Sequence, residues 1–550
     1  MYLNLSSEKV LNNFLEISNY ALPRILTQIC RDPNSTSYGC ADRNWWHYKI
    51  RDFPSIILQQ SAAILWSSSK CGILTDQNRM QDLIKASCLF WNTRAIRFRS
   101  FEEYYPWEEG YPPLAFSTLS MARLVGEGAI DFHSVEDGIN IATKQLLSRF
   151  ESNAANQQVA GLAALSWIRR ISPKLVSDEA WEFLLLKTLS LQDPEGWYQE
   201  YGGPDLGYLS VTIDCIWDAY DACKDKRLLD SAIRAFEFIE KMTNNTEGRS
   251  IGMHNARNTD YIVPYGITRF ALAKDMGDIH IRALKLLQNI FLRCNQNSHF
   301  LSAVDDRYWC HYIGLSVMRS IQCLSESKPI VADVKAFKDT TRINYLSSSG
   351  YITFNANDKR AFRLVSTKKG GCLTVFQKKG CLSDFGWIIL AKKGQFITSW
   401  WSNDWNVDNK GSKSWETHCV ISGCFFKHNE LESSPFRHLA LRVSSFLLGR
   451  SLISILKAKL IFNKNKTNIK FKREIFVEKN ILKVVDSIDN MPDSYKLVRA
   501  PRSSKRHVAS ADNFHMEDLL MQKKSVYCIE EHKSKMRNSI TIRTSYRIND

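Results

Sequence analysis

The spacing of apolar residues divides the chain into two parts, and the first part has a helical period. From Ser7 to about Leu324, apolar residues recur every three to four positions, in segments separated by short runs of Pro, Gly, Asn or Asp. That period is typical of amphipathic helices. It predicts helices over 8–31, 51–69, 77–97, 113–125, 135–150, 156–171, 178–191, 207–222, 227–242, 263–275, 278–292 and 308–325. Paired helices of this length favour an array or a closed toroid.

After about Ser327 the period changes to two. Short β-branched and aromatic runs, bounded by turn residues, predict strands over 351–354, 372–377, 386–391, 418–426, 469–477, 481–485 and 539–544. Many short strands joined by such turns indicate an antiparallel sandwich. We therefore predict a multidomain chain, α then β. The predicted parts are a toroid-like helical domain over 1–327, a linker over 328–340 and an antiparallel β-sandwich domain over 341–550.

Composition and charge narrow the possible partners. At 550 residues the chain exceeds the size of a single hydrophobic core. Lys plus Arg number 73 against 57 for Asp plus Glu, a net charge of +16. A chain with this charge attracts acidic glycans, anionic lipid or nucleic acid. The charge alone does not indicate which of these is the partner. The basic residues of 457–473 alternate with Leu, Ile and Phe, which favours a solvated strand face over a dedicated anion site.

Targeting signals and cofactor motifs are not found in the sequence. The fourteen cysteines show neither CxxC pairs nor zinc spacing, so we predict buried thiols in a reducing compartment. Residues 1–12 lack the features of a signal peptide, and Arg442 and Arg450 interrupt the apolar run of 439–456, so we expect a cytoplasmic protein without a transmembrane segment. Phosphate-loop, dinucleotide and zinc motifs do not occur, so we predict no cofactor, no metal and no nucleic-acid partner.

The segment from Asp193 to Thr212 is the densest in glycines, carboxylates and tyrosines, and it leads into a predicted helix. Glycines let the backbone approach a ligand closely, and a helix N-terminus favours an anion. Glu200, Asp205 and Tyr208 would then lie where a ligand can bind. A capped turn between two helices explains the same residues equally well.

A second polar loop follows further along the chain. It contains His254, Asn255, Arg257, Asn258 and Tyr261. An imidazole beside amides and a guanidinium can bind a carboxylate and move a proton at neutral pH. The competing interpretation is a loop that hydrogen-bonds to itself, and we favour the functional one.

Three other segments precede helices and mix charged with aromatic residues. The first segment spans 40–55. There we favour an ion-pair lattice formed by Asp42, Arg43, Arg51 and Asp52. The others are 105–113 and 305–312. If the helices form a toroid, these loops can gather at one end as a cleft.

Several of these motifs resemble the heparinase II/III-like proteins. The helical half contributes Glu200-Tyr-Gly-Gly-Pro-Asp-Leu-Gly-Tyr, Arg257-Asn-Thr-Asp-Tyr and Asp305-Asp-Arg-Tyr. The β half adds Ser383-Asp-Phe-Gly-Trp, Arg473-Glu-Ile-Phe, Val485-Asp486 and Arg506-His507-Val508-Ala509-Ser510. The resemblance spans most of the chain and implies an incomplete α/α toroid followed by an antiparallel β-sandwich. It also implies a setting in bacterial surface-polysaccharide synthesis.

Lyases of this family cleave uronic-acid glycans by β-elimination. In them an Asn or His neutralises the carboxylate, and a Tyr helped by a His handles the C5 proton and the leaving oxygen. By resemblance, Tyr208 takes the place of the tyrosine, and Asn156 that of the asparagine in an Asn-His pair. Gln157 stands where the family has histidine, and glutamine can donate a hydrogen bond but cannot exchange a proton. For the histidine near the sandwich, the candidates are His418 and, second, His438.

The resemblance therefore implies a lyase that acts on an acidic polysaccharide. Tyr208, His254 and His418 would be its catalytic residues. The substrate-binding residues would be Asn156, Gln157, Glu200, Asp205, Arg257, Asn258 and Tyr261. The alternatives are a uronate C5-epimerase, a non-catalytic glycan-binding or assembly protein, and a helical scaffold that binds anionic partners through its basic sheet.

Overall fold

The structure is a computed structural model of the 550-residue chain. It describes residues 2–42, 52–74, 76–103, 106–243, 261–291, 301, 304–335, 342–355, 362–366, 372–377, 380–384, 386–391, 396–398, 406–413, 416–427, 434–456, 458, 465–478, 481–499, 528–536 and 538–547.

The N-terminal half consists of helices joined by short loops. They are α1 (Ser7–Gln28), α2 (Ser61–Lys70), α3 (Gln77–Phe98), α4 (Tyr111–Gly126), α5 (Glu136–Ser148), α6 (Ala155–Ile171), α7 (Asp178–Leu189), α8 (Leu206–Cys223), α9 (Lys226–Met242), α10 (Tyr265–Leu272), α11 (Asp278–Phe291), α12 (Asp306–Trp309) and α13 (Tyr312–Glu326). Short 3-10 helices lie at Ile56–Gln60, Phe132–Ser134 and Lys274–Met276. Every predicted helical segment coincides with helix, so the helical half is confirmed.

Two predicted helices are interrupted. The segment 51–69 becomes helical only at Ile56, because Pro54 disfavours helical backbone in the residue before it. The segment 308–325 is divided between α12 and α13, and His311 between them has a non-helical backbone. The interruption places His311 at the start of α13.

Six helices contact one another in a closed order, namely α2, α4, α6, α8, α10 and α13, with α13 returning to α2. In α6 and α8 the residues over 155–168 and 206–219 are buried on every side. By contrast, α9 buries one face, against α8, and α11 packs on α10. Helices that are apolar all round belong to the interior of a helical assembly. The residues at the starts of the ring helices are therefore the ones that can form a shared site.

A buried ion network joins four of the ring helices. Arg319 of α13 donates from Nη1 to Asp218 Oδ2 of α8 at 2.7 Å, and from Nη2 to the Tyr265 hydroxyl of α10 at 2.5 Å. The Arg319 guanidinium also lies 3.5 Å from the centre of the Tyr265 ring. Arg123 of α4 approaches Asp218 to 3.9 Å. Because all four side chains are buried, each charge depends on its partners in the network.

The C-terminal half is antiparallel β structure, as predicted. Its strands are β3 (Arg342–Leu346), β4 (Tyr351–Asn355), β5 (Phe362–Ser366), β6 (Cys372–Gln377), β7 (Gly380–Asp384), β8 (Trp387–Leu390), β9 (Phe396–Thr398), β10 (Asn406–Lys413), β11 (Glu416–Lys427), β12 (Asn465–Glu478), β13 (Ile481–Asp489), β14 (Lys496–Arg499), β15 (Cys528–Met536) and β16 (Ser539–Arg547). One sheet has the order β3-β4-β5-β6-β7. The other has the order β14-β8-β9-β11-β12-β13-β16-β15, with β10 paired to β11.

A short strand pair ties the start of the chain to the end of the helical half. Strand β1 (Tyr2–Ser6) is antiparallel to β2 (Val331–Lys335), and the register runs from Tyr2 opposite Lys335 to Ser6 opposite Val331. The Ser7 amide also donates to the Ile330 carbonyl at 3.0 Å. The predicted linker, 328–340, therefore contains a strand.

The β half also contains two helices that the sequence analysis did not predict, α14 (Pro435–Leu448) and α15 (Arg450–Leu456). In the described part of the chain, no single helix combines the length and apolarity needed to cross a bilayer. Helices α14 and α15 meet that criterion only when taken together, and the chain bends by 120° between them.

A second buried ion network lies in the β half, on three segments that the sequence analysis singled out separately. Arg473 donates from Nε to Asp486 Oδ1 at 2.7 Å and from Nη2 to Asp384 Oδ1 at 3.0 Å. Trp387 donates to Asp486 at 2.7 Å, and the Tyr546 hydroxyl donates to Asp384 at 2.7 Å. Burial alone would raise the pKa of Asp384, but Arg473 and the neighbouring Arg499 hold it well below the usual range.

We expect Arg473→Met to lower the free energy of unfolding by about 3–5 kcal/mol, because it leaves two buried carboxylates without their cation. Lys472→Met is the matched control, since Lys472 is the exposed neighbour in the same strand, and we expect its effect to stay within about 0.5 kcal/mol. Urea denaturation measures both. Because the pKa of Asp384 is depressed, its contribution should be present above the ordinary value of 3.8 and be lost as the pH falls below it. Equal effects of the two substitutions would contradict this account.

Candidate functional site

The start of α6 pairs with the loop that precedes α8. Ala154 and Glu200 form an antiparallel bridge. The Tyr201 amide donates to the Asn153 carbonyl at 2.7 Å, and the Ala155 amide donates to the Gln199 carbonyl at 3.0 Å. This pairing brings the two predicted amide side chains, at positions 156 and 157, next to the predicted carboxylate at position 200.

Glu200 holds Asn156 in place. Its Oε1 accepts from both the backbone amide and the side-chain Nδ2 of Asn156, each at 2.7 Å. Its Oε2 is buried and has no hydrogen-bond partner among the described residues. Burial raises the pKa of Glu200 well above 4.5, and nearby Asp205 raises it further, although the bonds from Asn156 oppose this shift. A carboxyl in this setting can be neutral and can hold a proton.

Gln157 has its own partner. Its Nε2 donates to the Tyr201 hydroxyl at 3.1 Å, and its Oε1 is buried without a hydrogen-bond partner in the part of the chain that the structure describes. Asn156 and Gln157 are both buried, so each presents an amide inside the ring rather than at the protein surface. Tyr201 belongs to the dense loop but was not among the predicted site residues.

Three tyrosines and an aspartate meet at the starts of α8 and α13. Asp205 caps α8 by accepting from the Tyr208 amide at 3.0 Å. The hydroxyls of Tyr261 and Tyr312 lie 3.0 Å apart. The Val263 amide, two residues after Tyr261, donates to the Ser210 hydroxyl of α8 at 2.9 Å, so this segment lies beside the start of α8, near Asp205 and Tyr208. Burial raises the pKa of Tyr261 well above 10, and Tyr312, Tyr208 and Asp205 raise it further, so Tyr261 is a neutral hydrogen-bonding group.

A buried histidine adjoins this tyrosine cluster. The His311 ring centre is 4.6 Å from that of Tyr312, and within the described residues the His311 Nδ1 is buried without a hydrogen-bond partner. Burial, together with the charge of Arg307, lowers the pKa of His311 to about 3, so the ring is neutral at physiological pH. His311 and Tyr312 were not predicted as site residues, although they lie in a segment noted for its aromatic and acidic residues.

Two other carboxylates of the dense loop contact the β half. The Ser348 and Ser349 amides, in the turn between β3 and β4, donate to Glu195 at 2.8 and 3.0 Å. The Ser349 hydroxyl donates to Glu195 at 2.6 Å, and the Ser348 hydroxyl donates to Asp193. The loop that leads to Tyr208 is therefore fixed on one side by the β half.

Other predicted residues are not brought to this cluster by the described part of the structure. His254, Arg257 and Asn258 lie outside the described residues. His418 is on β11 opposite Phe476, and its side chain lies outside the described part. His438 is on α14 and is exposed.

The two acidic residues of the predicted ion-pair lattice, Asp42 and Asp52, pair with arginines outside the predicted set. Arg97 donates to Asp52 at 2.8 Å, and Arg307 approaches Asp42 to 3.6 Å. Asp42 also accepts from the Ser55 amide at 2.7 Å. Arg43 and Arg51 lie outside the described residues.

Metal ligands and cavities complete the description of the site. Among the described residues, no group of three or more His, Cys, Asp or Glu side chains is arranged to hold a metal ion. A surface cavity lies between the loop at 35–38 and α3, and Tyr38, Lys85 and Arg94 are among its lining residues. None of the tyrosines, amides or carboxylates described above lines this cavity.

No protein-family model matches the chain, and no curated protein matches it. Among solved structures, the chain is similar to heparinase III, at 11% identity over 98% of this chain and 83% of the other, with a TM-score of 0.49. It is also similar to the Streptomyces coelicolor A3 chondroitin AC lyase, at 8% identity over 98% and 77% of the chains, with a TM-score of 0.48. A third similar structure is a mutant heparan sulfate lyase HepC from Pedobacter heparinus, at 9% identity over 97% and 83%, with a TM-score of 0.43. Since these TM-scores lie below 0.5, residue roles rest on the chain's own contacts.

The buried Glu200 gives a pH-dependent prediction. Because its pKa is raised, ionisation should destabilise the wild type increasingly as the pH rises above 4.5. Glu200→Gln keeps an acceptor for Asn156 and carries no charge. The free energy of unfolding of this variant minus that of wild type should therefore increase as the pH rises above 4.5. Glu200→Ala should lose about 1–3 kcal/mol, because it leaves both Asn156 donors unpaired.

Denaturation at a series of pH values tests this prediction. Glu179→Gln, on the exposed surface of α7, controls for the loss of one negative charge. A difference between Glu200→Gln and wild type that stays constant with pH would show that Glu200 is not the buried titrating group described here.

Proposed function

We propose that this chain acts on an acidic polysaccharide, as a lyase that cleaves a uronic-acid-containing glycan by β-elimination. The observation that supports this most is the 3.0 Å contact between the Tyr261 and Tyr312 hydroxyls, with Tyr312 at the start of α13 and Tyr208 in the first turn of α8. Asp205 links this cluster to the Glu200 and Asn156 pair, since it both caps Tyr208 and raises the pKa of Glu200. A hydroxyl that can transfer a proton and amides that can bind a carboxylate are groups that a β-elimination requires.

In the proposed reaction, Tyr208 removes the proton from C5 of the uronate. The C4–O bond breaks, a C4=C5 double bond forms, and the leaving oxygen receives a proton from Tyr208. Asn156 and Gln157 hold the substrate carboxylate, since each amide can donate hydrogen bonds that disperse the charge developing there. The Asn156 amide nitrogen has a second hydrogen besides the one donated to Glu200.

The proton transfer requires a tyrosine whose pKa falls from about 10 toward neutrality. A positive charge near the hydroxyl has that effect, and we propose Arg257 or His254 as its source, with Asn258 as a further substrate contact. His418 is proposed as the histidine supplied by the β half. Tyr261 differs from Tyr208 in role: its raised pKa makes it a donor to substrate rather than a base.

We also propose that the helical half, which contains the six ring helices, is the incomplete α/α toroid implied by the sequence resemblance. The two antiparallel sheets would form the sandwich. A surface-polysaccharide pathway and a cytoplasmic location are part of the same proposal. The Asp193 and Glu195 contacts to the β half support a site formed where the two halves meet.

A non-catalytic glycan-binding protein is the second candidate function. It is favoured by Gln157, which cannot exchange a proton and already donates to Tyr201. A C5-epimerase would use the same proton removal but return a proton to the opposite face of C5 without breaking the C4–O bond.

The test is the ultraviolet absorbance of the unsaturated uronate, followed while protein is incubated with a panel of acidic bacterial glycans. Wild type should produce the absorbance, and Tyr208→Phe should reduce the rate by about 10²–10⁴-fold, because the proton-transfer group is removed. Tyr198→Phe is the matched control: Tyr198 lies in the same loop, but its hydroxyl bonds to Ser231 of α9.

Equal loss of activity in both variants would contradict a special role for Tyr208. Glycan binding by wild type without any rise in absorbance would contradict elimination for that panel. Exchange of the C5 hydrogen with solvent would then separate the epimerase from the non-catalytic protein.

A further inference from the structure

Helix α14 presents an apolar face to the exterior. Phe436 is 84% exposed, Leu439 62% and Leu447 71%. Val443 and Phe446, also exposed, complete a set spaced three or four positions apart. That spacing places all five side chains on one side of a helix, within an arc of about 100°. Water-soluble surfaces rarely expose so continuous an apolar face without a binding partner.

The sequence segment that contains this helix carries charge of one sign. From residue 433 to residue 473 the sequence contains no Asp or Glu. Within the described residues of this segment, Arg437, Arg442, Arg450, Lys466 and Lys470 are exposed. Arg442 follows Leu439 by three positions and borders the apolar face.

The helix is held to the body of the protein along its other side. The Ser445 hydroxyl donates to the Pro106 carbonyl, and Ser445 is fully buried. At the edge of the apolar face, the Phe446 ring contacts Trp107 edge-on, with the ring centres 5.3 Å apart. At Gly449 the backbone has φ of +49°, and the chain turns there into α15. The apolar face is therefore presented outward by a helix with a defined anchor.

We propose that the surface formed by α14 and α15 docks on a bilayer that contains anionic lipid. Helices that lie in a membrane interface combine an apolar face with flanking Lys and Arg, because the acyl boundary takes the apolar residues and the head groups take the cations. An acidic polysaccharide would match the charges but would leave Phe436, Leu439 and Leu447 in water. A symmetric contact with a second copy would bring basic segments against each other. A surface of anionic lipid accounts for both the exposed apolar face and the basic residues of this segment. This inference is independent of the proposed lyase reaction.

The experiment is co-sedimentation of the full chain with vesicles of phosphatidylcholine alone or with 30 mol% phosphatidylglycerol, a composition of about one anionic lipid in three. Wild type should bind the anionic vesicles at least tenfold more strongly than the neutral ones, and high salt should reduce this binding. Phe436→Ser with Leu447→Ser should weaken binding by roughly tenfold or more, because the apolar contribution is removed. Arg442→Gln should weaken binding to anionic vesicles in particular.

Matched controls keep the result specific. Phe183 and Leu186 of α7 are 62% and 54% exposed, so Phe183→Ser with Leu186→Ser removes comparable exposed apolar surface elsewhere. Lys144→Gln, on the exposed side of α5, matches Arg442→Gln in charge. Both controls should bind as wild type does. Unchanged thermal unfolding of all variants would show that they are folded.

Three outcomes would overturn the proposal. One is wild type that sediments with neither kind of vesicle. Another is a Phe436→Ser, Leu447→Ser variant that binds as wild type does. The third is a concentration-dependent dimer, seen by analytical ultracentrifugation, that is abolished by this double substitution while vesicle binding is not, since it would assign the face to a second copy of the chain.

Discussion

The ion network around Asp218 and Arg319 is the interaction on which the helical half depends. Two unit charges inside a ring of apolar helices are tolerated only when each is bonded to the other and to further polar groups. Here the partners come from four helices, because Arg123 and Tyr265 complete the set. The network therefore fixes the relative positions of α4, α8, α10 and α13 more specifically than apolar contacts can.

The position of the candidate site depends on this arrangement of helices. Tyr208 lies in the first turn of α8 and Tyr312 begins α13, and the network joins the same two helices further along. Asp214, two turns after the start of α8, accepts from the Gly266 amide at 2.6 Å and is buried, which raises its pKa to about 7. Polar groups thus continue from the tyrosine cluster into the ring, and they set the spacing between the helices that present the tyrosines.

Much of the fold was predictable because burial leaves a period in the sequence. Helices such as α6 and α8, and strands such as β12 and β13, follow their predicted limits to within a few residues. Helix α14 was missed because its apolar residues face outward and follow a segment read as strands. Strands β1 and β2 were missed because five residues that pair across most of the helical half leave no local signal.

The site was predictable only in its local parts. Asp205 and Tyr208 lie three positions apart, so a capped helix start was recognisable in one segment. The contact of Tyr261 with Tyr312 joins distant loops, and a single sequence carries no record of such contacts. His311 was noted only as part of a segment, since its burial arises from the fold. Arg473, Asp486 and Asp384 were likewise noticed separately, while their meeting is a product of strand order.

The pairing of β1 with β2 has a consequence for how the protein is made. A ribosome releases Tyr2 long before Lys335, its partner in the strand pair, so β1 must wait while the intervening helices are synthesised. Closing so long a loop costs entropy, and that cost is met only when the helices have already brought the two ends together. The strand pair therefore forms late in folding, after the ring of helices. During most of its synthesis, the nascent chain should have β1 unpaired.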